Sequence, residues 1–305
     1  FRPLPPLSDR MAMESAIGCP WNQRSDGRGI SDRLRVESLI GSPWNTHLLK
    51  PSRLLRKGRG LCSTRPGSLL KSQIPIKTDN WDVTQPGFLE ADTVAHCGSS
   101  LAGDFVYTVN CVDIFSGWVE QRAIWNKGQE GTLAAVRDIE RSLPFELKGF
   151  DCDNGSEFLN HHLWKYCSER AEGKKIKFTR SRPYKKDDNA HIEQKNWTHV
   201  RQLLGYDRFD KPFLVEMLND LYKQEWNWYV NFFCPSVKLV SKRRVGSKMV
   251  KMYDEPKTPF QRLIECKALS AKDVLRLKLR MKGLNPFELN ERIARKVNQI
   301  LDFPR

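Results

Sequence analysis

The chain has 305 residues, of which 39% are hydrophobic, and carries a formal net charge of +15 with a sequence pI near 9.5. That apolar content is enough for a substantial core and excludes collagen-like, coiled-coil and wholly disordered classes. No run approaches the roughly 18 to 20 apolar residues of a membrane span, and the eight cysteines are scattered without a CxxC pair, which argues against a disulfide framework or a thiolate zinc site.

The charge is unevenly distributed along the chain. Residues 1–74 carry a net charge of +8 and residues 235–305 one of +11, which leaves −4 for the middle. Basic ends suit a polyanionic partner, whereas carboxylates at the centre suit divalent metal ions. We therefore expect basic ends that hold phosphates. Because the sequence shows neither a membrane span nor the apolar region of a signal peptide, we also expect an aqueous, intracellular compartment and no membrane partner.

Residues 1–72 differ in composition from the rest of the chain. They are rich in Pro, Gly, Ser and Arg and lack both helical and strand periodicity. They predict an irregular basic N-terminal arm without a helix-turn-helix pattern.

A packed α/β domain is predicted from residue 74 to residue 206. Strand-like segments predict an antiparallel meander of three strands, and helical spacing of apolar residues predicts three helices that alternate with two short strands. The predicted order is β-β-β-α-β-α-β-α, with elements at Phe88–His96, Phe105–Asp113, Trp118–Trp125, Glu130–Ser142, Glu146–Cys152, Glu157–Arg170, Ile176–Thr179 and Asn189–Leu204.

Residues 207–265 predict a helical and basic extension. An aromatic-rich helical stretch, Phe213–Phe233, precedes the densest basic run, Lys238–Lys251. Core packing is the commoner role for such aromatics, so we assign binding of the polyanionic partner to the basic run only.

Residues 266–305 predict a helical tail. Ser270 and Asp273 form a capping-box pattern, and Pro286 suits the first turn of the last helix. The apolar stripe of that helix predicts packing on the core and consists of Leu289, Ile293, Val297 and Ile300.

Three acidic residues occupy positions that are unusual for a purely structural core. Asp92 interrupts an apolar strand, where an unpaired charge would cost several kcal/mol. Asp153 follows a short strand at an Asn-Gly turn, and Glu193 falls one turn into the last core helix. Converging on the sheet, these groups predict a site for two Mg²⁺ ions, because Mg²⁺ prefers oxygen ligands. Taken singly, each has an ordinary structural explanation: a satisfied strand residue, an Asx turn and a solvated helix residue.

Two other aspartates compete for this site. Strand alternation puts Asp151 on the same face as Asp153, so alternation does not separate them, and we prefer Asp153 because it adjoins the turn. Asp113 precedes Ile-Phe-Ser-Gly and is predicted to shape the end of a hairpin.

Five segments together resemble the catalytic core of DDE transposases and retroviral-type integrases, in particular bacterial insertion-sequence transposases. The likeness covers roughly Ile74–Leu263, and its most specific parts are DNGSEF and AHIEQKN. The segments are LEADTVAHCG (Leu89–Gly98), DIFSGW (Asp113–Trp118), AIWNKG (Ala123–Gly128), GFDCDNGSEFLN (Gly149–Asn160) and the stretch Arg180–Tyr206.

The resemblance implies an RNase H-like core with a mixed five-stranded sheet. It puts Asp92, Asp153 and Glu193 in the places of the family's catalytic and metal-binding residues, with two Mg²⁺ or Mn²⁺ ions as cofactors. The 39 residues between Asp153 and Glu193 are slightly more than usual in the family. The implied activity is metal-dependent DNA cleavage, followed by strand transfer through direct transesterification. The implied assembly is a homodimer or higher oligomer that binds double-stranded element ends and target DNA. The implied location is the bacterial cytoplasm, at the nucleoid.

Basic residues near these carboxylates and in the basic run are predicted to contact DNA phosphates. The residues near the carboxylates are Arg182, Lys185, Lys186 and Lys195, and those of the basic run are Lys238, Lys242, Arg243, Arg244, Lys248 and Lys251. For the residues near the carboxylates, the alternative to DNA contact is a loop whose charges are simply solvated.

Two alternative functions stay open from the sequence. One is a catalytically silent DNA-binding remnant of a transposase, which the irregular N-terminal arm favours. The other is an RNase H-like nuclease, which shares the metal chemistry but joins no strands.

Overall fold

The structure, a computed structural model, describes residues 73–76, 83–171, 174–182 and 190–303. All of them belong to one unit, Thr64–Arg305. The predictions for residues 1–72 and for Lys185 and Lys186 lie outside the described residues. In the described ranges, no helix is both long enough and apolar enough to cross a bilayer.

A mixed five-stranded sheet in the order β3-β2-β1-β4-β5 forms the centre of this unit. The first three strands pair antiparallel, whereas β1 with β4 and β4 with β5 pair parallel. The α/β class and the predicted order of elements are thereby confirmed. The strands are β1 (Phe88–Ala95), β2 (Val106–Asp113), β3 (Val119–Trp125), β4 (Gly149–Cys152) and β5 (Lys177–Arg180).

Two helices, α1 and α2, cover one face of the sheet. Leu89 and Ala91 of β1 share the main core with Val136 and Ile139 of α1 and Leu163 of α2. Because side chains alternate along a strand, Glu90 and its even-numbered neighbours turn to the opposite face. The bounds are α1 (Gln129–Ser142) and α2 (His161–Ser168).

The opposite face carries α3, whose Ile192 backbone N–H donates to Glu90 Oε2 at 3.2 Å. The helix begins as Ala190–Lys195, widens into a π-helical segment at Asn196–Arg201 and ends with Gln202–Leu204. Single π-helical turns within helices are frequent at functional sites. The predicted helix is thus present and contains a π-helical segment at Asn196–Arg201.

A long interrupted helix, α4, packs against β3 and forms a second core with α3 and the last helix. Leu214, Leu218 and Tyr222 share this core with Ile293 and Ile300. Its aromatic end packs against the two cores, as predicted: Phe232 is buried, whereas Trp226, Trp228, Tyr229 and Phe233 are partly buried. The helix comprises Leu214–Leu221, a π-helical segment Tyr222–Trp226 and Asn227–Phe233.

The basic run folds as an antiparallel hairpin of β6 and β7, and three helices end the chain. Ser270 caps α6 by accepting a hydrogen bond from the Asp273 backbone N–H, and Pro286 begins α7, as predicted. The predicted divisions at residues 206 and 265 remain proposals. The elements are β6 (Leu239–Val245), β7 (Lys248–Tyr253), α5 (Pro259–Glu265), α6 (Ala271–Lys282) and α7 (Pro286–Leu301).

Candidate active site

Asp92 lies within β1, on the face of the sheet that α3 covers. Its Oδ1 accepts a hydrogen bond from the Thr93 backbone N–H at 2.7 Å, and its Oδ2 accepts one from Asn196 Nδ2 at 2.7 Å. Burial and then the charge of Asp153 raise the pKa of Asp92 from 3.8 to about 6, although these hydrogen bonds oppose the rise. Keeping Asp92 ionised therefore lowers the stability of the folded protein, and a neighbouring cation would reduce this loss.

Asp153 directly follows β4, at the carboxyl end of the strand parallel to β1. The ladder pairs Glu90 with Asp151 and Ala91 with Cys152, so the next position brings Asp153 level with Asp92. Asp153 Oδ1 accepts a hydrogen bond from the Gly155 backbone N–H at 2.9 Å. Burial raises the pKa of Asp153 above its usual range, and the charge of Glu157 adds to this rise against the Gly155 hydrogen bond.

Asp151 lies in a different environment from Asp153. It is fully buried, and its Oδ1 accepts a hydrogen bond from Thr179 Oγ1 at 2.5 Å. Asp153 is half-exposed and is the residue whose charge acts on Asp92. The structure therefore separates two aspartates that strand alternation leaves equivalent.

Glu193 is exposed on the first segment of α3. Asn196, one helical turn later on the same face, donates to Asp92 and accepts from Asn110 Nδ2 at 2.8 Å. Within the described residues, no three His, Cys, Asp or Glu side chains are grouped so that they could hold a metal ion. The fold thus brings Asp92 and Asp153 together and places Glu193 one turn from Asn196, which contacts Asp92, without completing a three-carboxylate group in the described residues.

The Asp92–Asp153 pair has the chemistry of a divalent-cation site. Both groups are hard oxygen donors, both are partly buried, and each carries a raised pKa. Two neighbouring carboxylates repel one another, and a divalent cation is the simplest compensator for that repulsion. The pair therefore fits Mg²⁺ or Mn²⁺.

A second charged cluster beside the pair escaped the sequence reasoning. Glu157 is 1% exposed, and its Oε1 contacts Lys127 Nζ at 2.6 Å and accepts from Thr93 Oγ1 at 3.2 Å. Burial alone would lower the pKa of Lys127, but Glu157 and then Asp153 raise it above its ordinary value. Lys127 thereby places a positive charge next to the two aspartates.

Gly155 provides the sequence signal for Glu157. A Cβ at Gly155 would lie 2.4 Å from Glu157 Oε1, so only glycine lets the carboxylate fold back over the turn. Glu157 lies just before the apolar Phe158 and Leu159, and a carboxylate buried there requires a partner.

Asp113 has the structural role that was predicted for it. Its Oδ1 accepts from the backbone N–H of Gly87 at 2.8 Å and its Oδ2 from that of Ser116 at 2.7 Å. These bonds tie the end of β2 to the start of β1. Asp113 is therefore a turn-forming residue.

The predicted DNA-contacting residues near α3 lie in unlike positions. Arg182 is exposed just after β5. Lys195 is half-buried on α3, and burial lowers its pKa; Cys234 opposes this shift, and the charge of Arg262 adds a smaller contribution to it.

The basic run also divides into two parts. Lys238 is half-buried, its Nζ donates to the Ile114 carbonyl at 2.9 Å and to that of Phe115, and burial lowers its pKa to about 8. The remaining members are exposed on β6 and β7, and they are Lys242, Arg243, Arg244, Lys248 and Lys251.

Comparison with known proteins yields one sequence relative and several structural ones. No family model matches the chain. The uncharacterized protein y4rM of Sinorhizobium fredii is 36% identical over 216 residues, which cover 70% of this chain and 60% of that protein. The chain thus spans less than two thirds of the length of this relative.

Two solved structures align with part of this chain. A chain of the simian T-cell lymphotropic virus intasome, determined by cryo-electron microscopy in complex with a PP2A regulatory subunit, aligns with a TM-score of 0.41 and 16% identity over 59% of this chain and 55% of that one. The catalytic core domain of BIV integrase aligns with a TM-score of 0.38 and 13% identity over 59% of this chain and 94% of that one.

Proposed function

We propose that the protein is a DDE-type transposase or integrase that cleaves and joins the DNA of an insertion sequence. The observation that carries this proposal is the side-by-side placement of Asp92 on β1 and Asp153 at the end of the parallel strand β4. The resemblance of the sequence to insertion-sequence transposases supports the same assignment. In this proposal Asp92, Asp153 and Glu193 are the catalytic residues.

The metal-binding residues of the proposed site are the same three carboxylates, and the cofactor is Mg²⁺ or Mn²⁺, two ions in all. When bound, such ions activate an attacking oxygen and stabilise the leaving oxygen of a phosphodiester. Asn196 and the Thr93 backbone orient Asp92 through their hydrogen bonds.

Lys127 and the exposed cations have supporting roles in this proposal. Lys127 is held by Glu157 beside the carboxylates and balances part of their charge. Arg182 and the exposed cations of β6 and β7 contact phosphates of element ends and target DNA. We include Lys185, Lys186, Lys195 and Lys238 among the proposed contacts, with a homodimer or higher oligomer as the assembly on DNA.

A cleavage assay with Glu193→Gln tests this proposal. Wild-type protein should nick duplex DNA that carries the ends of the encoding element in the presence of Mn²⁺ or Mg²⁺. Glu193→Gln should abolish nicking while DNA affinity, measured without divalent ions, stays within about twofold. Gln194→Ala, a change at the next, also exposed position of the same helix, is the matched control and should retain activity. Persisting nicking in Glu193→Gln would remove Glu193 from the site.

A second candidate function has its own supporting observation. Glu193 is exposed, and the described residues contain no complete three-carboxylate group. Both facts favour a DNA-binding protein that no longer cleaves. Binding to element ends without nicking in either Mg²⁺ or Mn²⁺ would support this candidate over the enzyme.

A further inference from the structure

The hairpin of β6 and β7, here called the basic ribbon (Leu239–Tyr253), is exposed throughout. Every residue of both strands is exposed to solvent. The strands connect through a two-residue turn in which Gly246 has φ +61°, a conformation that glycine adopts without strain. An isolated two-stranded hairpin is marginally stable in water, so a ribbon without a covering layer is suited to a binding partner.

The charge of the ribbon indicates the chemistry of that partner. Its strands carry five cations, and residues 238–253 contain no Asp or Glu. None of the five forms an ion pair with a carboxylate in the part of the chain that the structure describes; Arg244 donates instead to the Gly246 carbonyl at 3.2 Å. The exposed and uncompensated charge suits a polyanion.

The pairing register adds a second observation. Lys242 lies directly opposite Lys251, and Arg244 lies opposite Met249. Like charges directly opposite each other destabilise a strand pair. Lys242, Arg244 and Lys251 share one face of the ribbon, because paired and alternate residues project to the same side. A phosphate near this face would relieve the repulsion between the two lysines.

The base of the ribbon is fixed to the rest of the protein. Lys238 Nζ donates to the Ile114 carbonyl, and the Lys238 backbone N–H donates to Asp254 Oδ1 at 2.5 Å. Arg262 Nη1 contacts Asp254 Oδ2 at 2.5 Å, and Ser236 pairs with Lys257 just before and after the ribbon. The tip therefore extends from an anchored base, which lowers the cost of ordering it on a partner.

We propose that the basic ribbon enters the major groove of duplex DNA with its Lys242, Arg244 and Lys251 face toward the DNA. A ribbon with side chains on both faces is about 10 Å thick. It exceeds a minor groove of about 6 Å and fits a major groove of about 12 Å. Met249 on the same face adds an apolar side chain that suits thymine methyl groups. The proposal rests on DNA as the substrate of the proposed function and deepens it.

The test compares two charge variants of the full-length protein on a plain DNA duplex, with EDTA present so that cleavage plays no part. The triple variant Lys242→Gln, Arg244→Gln, Lys251→Gln should flatten the slope of log affinity against log salt by about 2.7, at about 0.9 per lost phosphate contact. The control Lys272→Gln, Lys278→Gln removes two exposed lysines of α6, outside the ribbon, and should leave the slope unchanged. Because the triple variant removes the Lys242–Lys251 repulsion, unfolding of the ribbon does not account for its weaker binding.

Groove competitors and sedimentation complete the test. Methyl green, a major-groove ligand, should displace the wild-type protein, whereas netropsin, a minor-groove ligand, should not. An unchanged salt slope in the triple variant, an equal loss in the control variant, or displacement by netropsin alone would overturn the proposal. A changed oligomeric state of the DNA-free triple variant with an unchanged slope would assign the ribbon to a protein interface instead. If the triple variant shows the predicted flatter salt dependence but the wild-type protein has no nicking activity, the ribbon proposal stands and the proposed enzymatic function is refuted.

Discussion

Replacing Asp92 by Asn should stabilise the metal-free protein while removing its activity. In the folded state the pKa of Asp92 is about 6, against 3.8 for an ordinary aspartate. That difference corresponds to about 3 kcal/mol for holding the ionised carboxylate at neutral pH. Asn is uncharged and of the same shape, but its amide does not accept both hydrogen bonds now made by Asp92, which costs about 1 kcal/mol. The net gain expected is about 2 kcal/mol.

The assay is thermal unfolding in EDTA at two pH values. At pH 7.5 the gain corresponds to a Tm about 4 to 8 °C above that of the wild-type protein. An aspartate with a raised folded pKa destabilises the protein fully above about pH 6 and not at all below its unfolded pKa of 3.8. The advantage of Asp92→Asn should therefore shrink toward pH 4.5.

Metal addition supplies the second half of this experiment. Mg²⁺ or Mn²⁺ at ten times its dissociation constant should stabilise the wild-type protein by about 1.4 kcal/mol. Asp92→Asn should lose most of that response, whereas Asp104→Asn, at an exposed loop position, should keep it and leave the metal-free Tm unchanged. A metal-free Asp92→Asn protein that is less stable than the wild type at pH 7.5 would refute the reasoning.

Two further outcomes follow from buried charges. Burial lowers the pKa of His96 and of His199 to about 3, and a nearby cation adds to the shift, Arg201 for His96 and Lys195 for His199. The free energy of unfolding should therefore fall as the pH drops below 6.5, by about 1.4 kcal/mol per histidine at pH 5.5. In urea unfolding, His96→Gln should remove the share of this loss that His96 causes, whereas His161→Gln, at an exposed position of α2, should not. Equal pH dependence of stability in the wild type and both variants would contradict the role assigned to His96. Lys127→Met should cost about 1 to 2 kcal/mol, because it leaves the buried Glu157 carboxylate without its cation while Lys127 itself is partly solvated. Lys211→Met, which removes an exposed lysine 3.8 Å from Asp210, should cost almost nothing, and a similar loss in both variants would argue against a special role for Lys127.

Local patterns in the sequence predicted the sheet and its helices well. β-Branched and aromatic residues placed β1 to β3. Burial in β3 goes beyond the apolar pattern, because Glu120, Gln121 and Arg122 are buried as well. The N-cap at Ser270 and the helix start at Pro286 were also predictable, since the start of a helix depends on neighbouring residues. The predicted strand from Glu146 begins at Gly149, and the predicted helix from Glu157 begins at His161.

The shorter helix has a physical cause that involves distant residues. Glu157 bonds to Lys127 and Thr93, which are far away in sequence, and Asn160 then accepts from the Leu163 backbone N–H as the true N-cap. Helical periodicity carries no information about such tertiary partners. The same limit explains why the Lys127–Glu157 cluster was missed.

The basic run shows a different limit of sequence reasoning. Its composition predicted a polyanionic partner, but the two-residue turn at Gly246 determines that its lysines face one another across a hairpin. Likewise, the sequence placed Asp92 and Asp153 in one site, whereas the parallel pairing of β1 with β4 brings them level. Pairing partners of strands are non-local, so single-sequence patterns leave them open.

Strand transfer tests the central claim most directly. The assay uses oligonucleotides bearing the ends of the element that encodes this chain, with Mg²⁺ or Mn²⁺, and compares wild-type protein, Asp153→Asn and Asp104→Asn. Joined products from the wild type and from Asp104→Asn, together with their loss in Asp153→Asn, are the result that this account predicts. Joining that persists in Asp153→Asn, or wild-type protein that binds the ends without cutting or joining them, would contradict it.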